Sequence, residues 1–487
     1  MNMMQTPFFP AFRARLAALG RRTAQTVRQT TLAQLQEHLR DCLPAHVLAA
    51  EDEGPNSRAR VFTLRLTFEC FVWQLLKPHT ACREVVRHVQ ALRRLHGRPP
   101  VDEGDSAYVQ ARQRLPRVRL EKALSTTAQA ADRRAGSGGG LQGRPVKVAD
   151  GSTTQLADTP KNQQRYPQSR SQKPGCGFPV LKFVVLFSLT SGAVLNVVLG
   201  RLRHHDLRVF RQLWEQLKKG DILLGDRAWG EYTTLAGLPG QGVDVVARLH
   251  ACRKVDFRKA QRLAKHDGLF VWTKGGTPSK ILTAKQWRQL PAQIQVRLIR
   301  FTATIRGFRS RRVTLVTTLT EAQLYPAAEI IALYARRWRL ELCLRDLKTT
   351  MGMETLRCQT PDMAEKELLA YLVAHNLIRC VMAEAVARYE VELERISFKG
   401  TVDALRQYSD AMGRARNRKM RRQLWDDLLW NLARDLVPLR PNRLEPRAVK
   451  RRPKPYPLLN KPRRCFKEIS HRSRYWKGRP RKYRGLN

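Results

Sequence analysis

The sequence predicts an α/β core that begins with antiparallel strands, lies between helical regions and carries a β-rich insertion. Three observations point there. Apolar residues recur at helical spacing up to about Arg134, strand-like and helical segments alternate after it, and the helical period lapses between Cys252 and about Leu319 before returning. A chain of 487 residues suits two to four domains of ordinary size.

Charge sets the first functional bound. Ninety Lys+Arg stand against 41 Asp+Glu, a formal +49 with an isoelectric point near 11.1. Such a surface wants polyanions. Of these cations 66 are Arg and 24 Lys, a bias that GC-rich codons contribute to without changing the sign. Hydrophobic residues at 43%, with nine Trp and sixteen Phe, exclude a merely disordered basic protein. The nine cysteines form no Cys-x-x-Cys pair and are odd in number, which fits a reducing compartment and argues against a zinc site. Met1 to Thr31 has five Arg and no compact apolar core, so it reads as a basic helical arm on DNA in preference to a secretory or transit signal.

Residues 1–134 read as a separate helical, DNA-binding domain, with helix-spaced apolar residues in Phe68 to Leu76 and Val85 to Leu95. Residues 135–144 form a Gly-rich linker opening on Ala135-Gly-Ser-Gly-Gly-Gly140. The first part of the core, 145–251, holds strands at Val146 to Asp150, Phe183 to Phe187, Val194 to Leu199, Ile222 to Asp226 and Val243 to Leu249, with a helix at Asp206 to Leu217. Phe178 to Leu199 is the membrane candidate, but Lys182, Asn196 and the polar break from Ser188 to Gly192 make it two strands joined by a turn. Residues 252–325 are the β-rich insertion, with strand-like stretches at Leu269 to Thr273, Val296 to Ile305 and Arg312 to Thr318. The core resumes over 326–360 with a strong helix near Pro326, and 361–439 is a helical region with helices at Met363 to Arg388 and Arg421 to Val437. The basic tail, 440–487, has 18 Lys+Arg and two acids, too polar for a core.

On a polyanion-binding protein the informative residues are acids at strand ends, because an acid there opposes binding unless a metal intervenes. Asp150 closes the first core strand and Asp226 the fourth, so neighbouring strands would bring both to one sheet edge, where α/β folds place their sites. Taken singly, each also reads as a turn or helix-capping Asp, as do Asp158, Asp206 and Asp221. The helix Tyr334 to Lys348 supplies a third acid. At about 100° per residue Tyr334, Arg337, Glu341 and Lys348 share one face, an arrangement that a solvated ion-pair stripe would also give.

The spacing Tyr334-x2-Arg337-x3-Glu341-x6-Lys348 resembles the Tyr-Arg-Glu-Lys signature of bacterial insertion-sequence transposases of the IS-four family, without departure. Asp150-Gly-Ser-Thr-Thr154, with Asp158 to Asn162 and Tyr166-Pro167 after it, is similar to the first-aspartate block, and Asp226-Arg-Ala-Trp-Gly-Glu-Tyr232 to the second. Val316 to Leu319, Gly352-Met-Glu354 and His375-Asn-Leu-Ile-Arg379 also match, so the resemblance spans about half the chain. It implies an RNase H-like, retroviral integrase-like catalytic core with an Asp-Asp-Glu triad, in which Asp150, Asp226 and Glu341 hold two Mg²⁺ ions, with Mn²⁺ as a substitute, for in-line displacement at phosphorus. It further implies cut-and-paste transposition through hairpinned ends, double-stranded terminal repeats and target DNA as partners, a homodimer in the synaptic complex, and a bacterial, cytoplasmic, nucleoid-associated setting. Tyr334, Arg337 and Lys348 would contact phosphate, with Arg227 beside them. A Trp of the insertion would support the flipped base, Trp272 first and Trp287 second.

Other basic segments are expected to be accessory. Arg306 to Arg312 suits a phosphate-binding loop, and Tyr456, Phe466, Tyr475, Trp476 and Tyr483 interleave with the tail's cations as stacking residues do. His204, His205 and Asp206 read as a helix-capping turn rather than as metal ligands. A nuclease without strand transfer and a non-catalytic DNA-binding derivative are the rival readings. The intact three acids argue against the second.

Overall fold

The computed structural model describes residues 41–48, 61–77, 80–95, 97–136, 140–250, 252–277, 281–303, 311–415, 417–438, 461, 462 and 465. The Met1 to Thr31 arm, Arg306 to Ser310 and almost all of the 440–487 tail lie outside them. One nine-stranded sheet organises the rest, in the order β3-β2-β1-β4-β5-β9-β8-β7-β6. Strands β1 (Val146–Gln155), β2 (Val180–Ser188) and β3 (Val194–Arg201) run antiparallel, while β4 (Ile222–Gly225) and β5 (Asp244–Arg248) are parallel to β1. That is the RNase H-like order, and its antiparallel start and two strands from Phe178 to Leu199 agree with the sequence reading. The insertion is β-rich as expected, yet it is an extension of the same sheet. Strands β6 (Gln261–Ala264), β7 (Asp267–Thr273), β8 (Gln293–Ala303) and β9 (Arg311–Thr317) form a meander that joins β5 antiparallel through β9.

Period-two alternation puts a separate core on each face of the sheet. Val146, Val148, Ile222, Leu224 and Val246 point into one cluster; Ala149, Leu223, Val245 and Ala247 point into the other. The first is covered by helices α4 (Arg117–Ala135), α9 (Ala327–Arg336), α10 (Trp338–Arg345) and α11 (Pro361–Tyr389), with α12 (Phe398–Arg414) and α13 (Arg418–Arg434) outside. The second is filled by α6 (Asp206–Phe210), Trp214, Trp229 and α7 (Tyr232–Gly237). The short elements between the strands include α5 (Pro160–Arg165), α8 (Ala284–Gln289) and a 3-10 turn at Arg211–Gln216 that replaces the second half of the helix expected from Asp206 to Leu217.

The expected boundary at 135–144 is not a boundary of packing. Leading helices α1 (Leu64–Leu76), α2 (Cys82–Leu95) and α3 (Ser106–Arg114) lie on a small core of their own, but Phe68, Phe71, Leu120, Ala123 and Ala131 belong to the main one. The reason is polar as well as apolar. Asn376 of α11 accepts from Val194 N at 2.8 Å and donates to Val194 O and Leu124 O, tying α4, α11 and β3 at one buried point. Likewise the His375 to Arg379 motif is architectural: His375 is wholly buried between Phe187 and Phe398, and Arg379 donates to Ser191 O at 2.6 Å. Helix α11 is long and apolar enough to cross a membrane, but 83% of its apolar window is buried inside the protein.

A buried ion pair couples the insertion to the helix that follows it. Arg297 of β8 is 1% exposed, grips Asp267 of β7 through two parallel hydrogen bonds and donates a third, at 2.6 Å, to Tyr325 O just before α9. Arg144 approaches the same tyrosine from the start of the core, with its hydroxyl 3.0 Å away. Arg297→Met strands a carboxylate in the interior and is expected to cost about 3–5 kcal/mol. Urea denaturation followed by circular dichroism should show that loss, with part of it recovered when Asp267→Leu is added; an unchanged midpoint in the single variant would contradict the role of this pair.

Candidate active site

Asp150 and Asp226 meet because of register. Val146, Val148, Ile222 and Leu224 face the α10 side of the sheet, and the last β1–β4 pair is Val148 with Leu224. Two residues further along each strand stand Asp150 and Asp226, so period two keeps both on that same face. The expected strand end at Asp150 is corrected: β1 runs on to Gln155. It stays extended because β2 still pairs it, Asp150 opposite Val185, and because Glu354 to Leu356 replaces the departed β4 on its other side. Gln155 N donates to Glu354 O at 3.1 Å, Leu356 N donates to Gln155 O at 2.8 Å, and Thr154 Oγ1 donates to Met353 O at 2.7 Å.

Asp226 leaves the sheet as the cap of the 3-10 turn Arg227–Gly230, its Oδ1 accepting from Ala228 N at 2.8 Å. Gly225 permits the turn, since a Cβ there would lie 2.6 Å from the Trp229 Cβ that packs beneath it. Glu341 arrives on α10, whose Leu340, Cys343 and Leu344 seat it on the sheet. The uniform helix expected from Tyr334 to Lys348 is corrected. The chain breaks at Arg337, between α9 and α10, and widens into a π turn over Asp346–Thr350 that carries half-buried Lys348. π turns in helices are frequent at functional sites.

These groups act on one another's charge. Burial pushes the Asp150 carboxyl up to about 6, the Gly151 N–H opposes it, the Asp226 and Glu341 carboxylates add to it, and Arg337 offsets them. Glu341 is ion-paired to Arg337 at 2.9 Å. Burial alone would lower the Arg337 guanidinium, but Tyr334, Glu341 and Asp150 together raise it. Tyr334, its ring centroid 5.9 Å from that guanidinium, is raised by burial against the pull of Arg337 and Arg248, with Asp226 adding to the rise. The donor set is carboxylate oxygen, which suits a hard divalent cation. Among the described residues no three His, Cys, Asp or Glu side chains stand close enough to hold one as they are, and Glu341 keeps Arg337 instead.

Two comparisons bear on the family. The family described as "Transposase DDE domain" matches residues 141–377. The Escherichia coli protein "Transposase InsG for insertion sequence element IS4" is 26% identical over 423 residues, covering 85% of this chain and 90% of that one. Residues 141–377 make this chain a DDE transposase, and it is similar over most of its length to one of the IS-four family. Transposases of this kind cleave DNA and transfer strands, and as a family they use divalent metal ions. A solved structure titled as a piggyBac transposase synaptic complex with hairpin DNA aligns at 9% identity and a TM-score of 0.38, covering 83% of this chain and 84% of that one.

Not every expected residue joins the site of this transposase. Asp158, Asp206 and Asp221 keep structural partners, Gln163, Lys182 and Lys147 respectively. His205 caps α6 through Leu207 N, as expected. Arg227 is exposed on the turn beside Asp226. Trp272 is corrected. The line Gly225, Ala247, Val316, Leu298, Gly268 crosses the sheet from β4 to β7, about 19 Å at ~4.8 Å per strand. Trp272 lies four residues beyond Gly268 toward the end away from the carboxylates, packs on the opposite face and is covered by the Arg253 guanidinium at 4.0 Å. Trp287, in van der Waals reach of Tyr232, lies on that side as well. The sequence reading missed two better-placed groups. Trp338, 54% exposed, directly follows Arg337, and Arg248 lies two residues past Val246 on the carboxylate face of β5.

Because Asp150 is held near 6 in the fold and near 3.8 in the unfolded chain, its ionisation opposes folding as pH rises from about 4 to 6 and throughout the neutral range. Asp150→Asn is therefore expected to stabilise the metal-free transposase by roughly 1–3 kcal/mol at pH 7.5 and to give no such gain below pH 4. Thermal unfolding at the two pH values checks this; a gain of equal size at both would assign it to packing instead.

Proposed function

We propose that this transposase performs cut-and-paste transposition of an insertion sequence, with Asp150, Asp226 and Glu341 as metal ligands, hairpinned intermediates at the excised ends and a dimer holding two ends together. The observation that supports the ligand set most directly is the register that puts Asp150 and Asp226 on the sheet face covered by α10, the helix of Glu341, with both neighbouring carboxylates raising the Asp150 carboxyl, a cost that a bound cation relieves. Two Mg²⁺ ions bound there would activate a water or a DNA 3′-hydroxyl and stabilise the leaving oxygen.

The chain's own residues then divide the remaining work. Arg337 exchanges Glu341 for a substrate phosphate, so that DNA entry frees the third carboxylate as it gains a bidentate contact. Tyr334 fixes the plane of that guanidinium and donates its hydroxyl to phosphate. Lys348 supplies a point charge from the π turn and Arg227 a further one beside Asp226. Trp338 replaces Trp272 as the stacking surface for a base turned out of a bent end. Terminal inverted repeats and target DNA are the duplex partners.

Glu341→Gln should abolish strand cleavage of labelled end DNA in Mg²⁺ while duplex binding persists, and gel analysis of nicks, hairpins and joined products follows each stage. Cleavage that survives the substitution would remove Glu341 from the site.

A further inference from the structure

Helix α2 stands apart from every element of the proposed catalytic site. Its inner face, Val85, Val86 and Val89, is buried against Phe62, Cys70, Trp73 and Tyr108 of the small leading core, and it packs on α1 and α3. Its outer face is cationic. Arg83, Arg87 and Arg94 are exposed, and Arg98 follows just past the helix. At ~100° per residue those three helical arginines fall within about 40° of one another along roughly 17 Å of axis. None has an acid partner among the described residues, and the helix contains one acid, Glu84, against four Arg.

The connection to α1 adds a second constraint. Five residues, 77–81, separate α1 from α2, and the Thr80 hydroxyl and N–H both return to Lys77 O at the turn. His88 stacks on Trp73 at 4.3 Å, and Tyr108 of α3 bonds to Gln74 of α1 at 3.0 Å, so α1 and α3 brace α2 from within. Two helices joined by a short turn, the second presenting a polar stripe outward from a three-helix core, is the construction by which a helix enters a major groove about 12 Å wide. Arginine is the side chain whose fork matches the guanine edge there.

We infer that α2 is a base-reading helix, with Arg83, Arg87 and Arg94 contacting base edges in the major groove of duplex DNA. The inference rests on the reading of this chain as a DNA transposase and names where that enzyme gains sequence preference. Full-length protein and its R83K/R87K/R94K and R83Q/R87Q/R94Q variants are each used to select from a pool of duplexes with a randomised 20-base-pair window, and bulk binding is followed by anisotropy on an unselected duplex. The unaltered chain is expected to enrich a motif. The lysine variant, which keeps the charge and loses the fork, should lose at least about tenfold of that enrichment with unselected-duplex affinity nearly unchanged, and the glutamine variant should lose both. The same motif enriched equally by all three proteins, or no motif enriched by the unaltered chain, overturns the inference, as does a parallel loss on motif and unselected DNA in the lysine variant. Selection requires no chemistry, so these outcomes are independent of whether Glu341→Gln stops cleavage.

Discussion

The arrangement depends on β1 changing partners at Asp150. Up to Val148 one edge of the strand is bonded to β4, and from Thr154 that same edge is bonded to Met353 through Leu356, while β2 keeps the opposite edge throughout. The first partner ends in Asp226; the second is the chain that emerges from α10 and the π turn. One ten-residue strand therefore holds, at successive positions along one edge, the strand that leads into the second carboxylate and the segment that follows the third. A site of this sort needs its groups placed within a fraction of an ångström, and hydrogen bonds to a shared central strand are the stiffest way this chain has of providing that. Gly352, at a φ of +85°, makes the reversal that lets the helix exit fold back onto β1.

Concentrating acids in this way conflicts with stability, and the conflict has a local remedy. Asp150 is pushed toward neutrality mainly by burial and then by its acidic neighbours, while Arg337 opposes the shift. In the metal-free protein the guanidinium is the compensating charge, held by Tyr334 and ion-paired to Glu341. Such a compensation is exchangeable in a way that apolar packing is not, because phosphate and carboxylate compete for the same fork. Arg248 belongs to the same balance from the third strand. By contrast the Arg297–Asp267 pair is sealed from solvent and bonded to a backbone carbonyl, so it holds the insertion against α9 without any comparable freedom.

The three acids were legible because each is announced by local pattern. Two follow short strand-like runs, Val146 to Ala149 and Ile222 to Gly225, and the third lies at a spacing that a resemblance made specific. The strand pair from Phe178 to Leu199 and the β-rich insertion were legible for the same reason. What the sequence concealed is non-local. Nothing near Asp150 says that Glu354 to Leu356 will extend its strand, and uniform helical arithmetic cannot place a break at Arg337 or a π turn at Asp346. The Gly-rich segment suggested a domain boundary because composition reports chain flexibility, whereas Asn376 bonding to Leu124 reports packing across 252 residues of sequence. Trp272 was chosen for being in the insertion, and only register reveals that β7 turns it to the far face and far end.

Register also says what the insertion can reach. On the cross-sheet line through Gly225, β8 passes at Leu298 and β9 at Val316, yet the two strands continue to pair as far as Ala303 with Arg311. Five residues of two-stranded ribbon therefore rise beyond the carboxylate line, about 17 Å at ~3.4 Å per residue. Arg300 and Arg312 on this ribbon keep the parity of Leu298 and Val316, so they lie on the face opposite Asp150 and Asp226, with Arg300 over the Phe257 ring. The +49 is consequently not a uniform attraction. Cations stand on separate elements, the ribbon, α2 and Arg337, while Asp150, Asp226 and Glu341 repel an approaching phosphate unless Arg337 or a bound cation answers them.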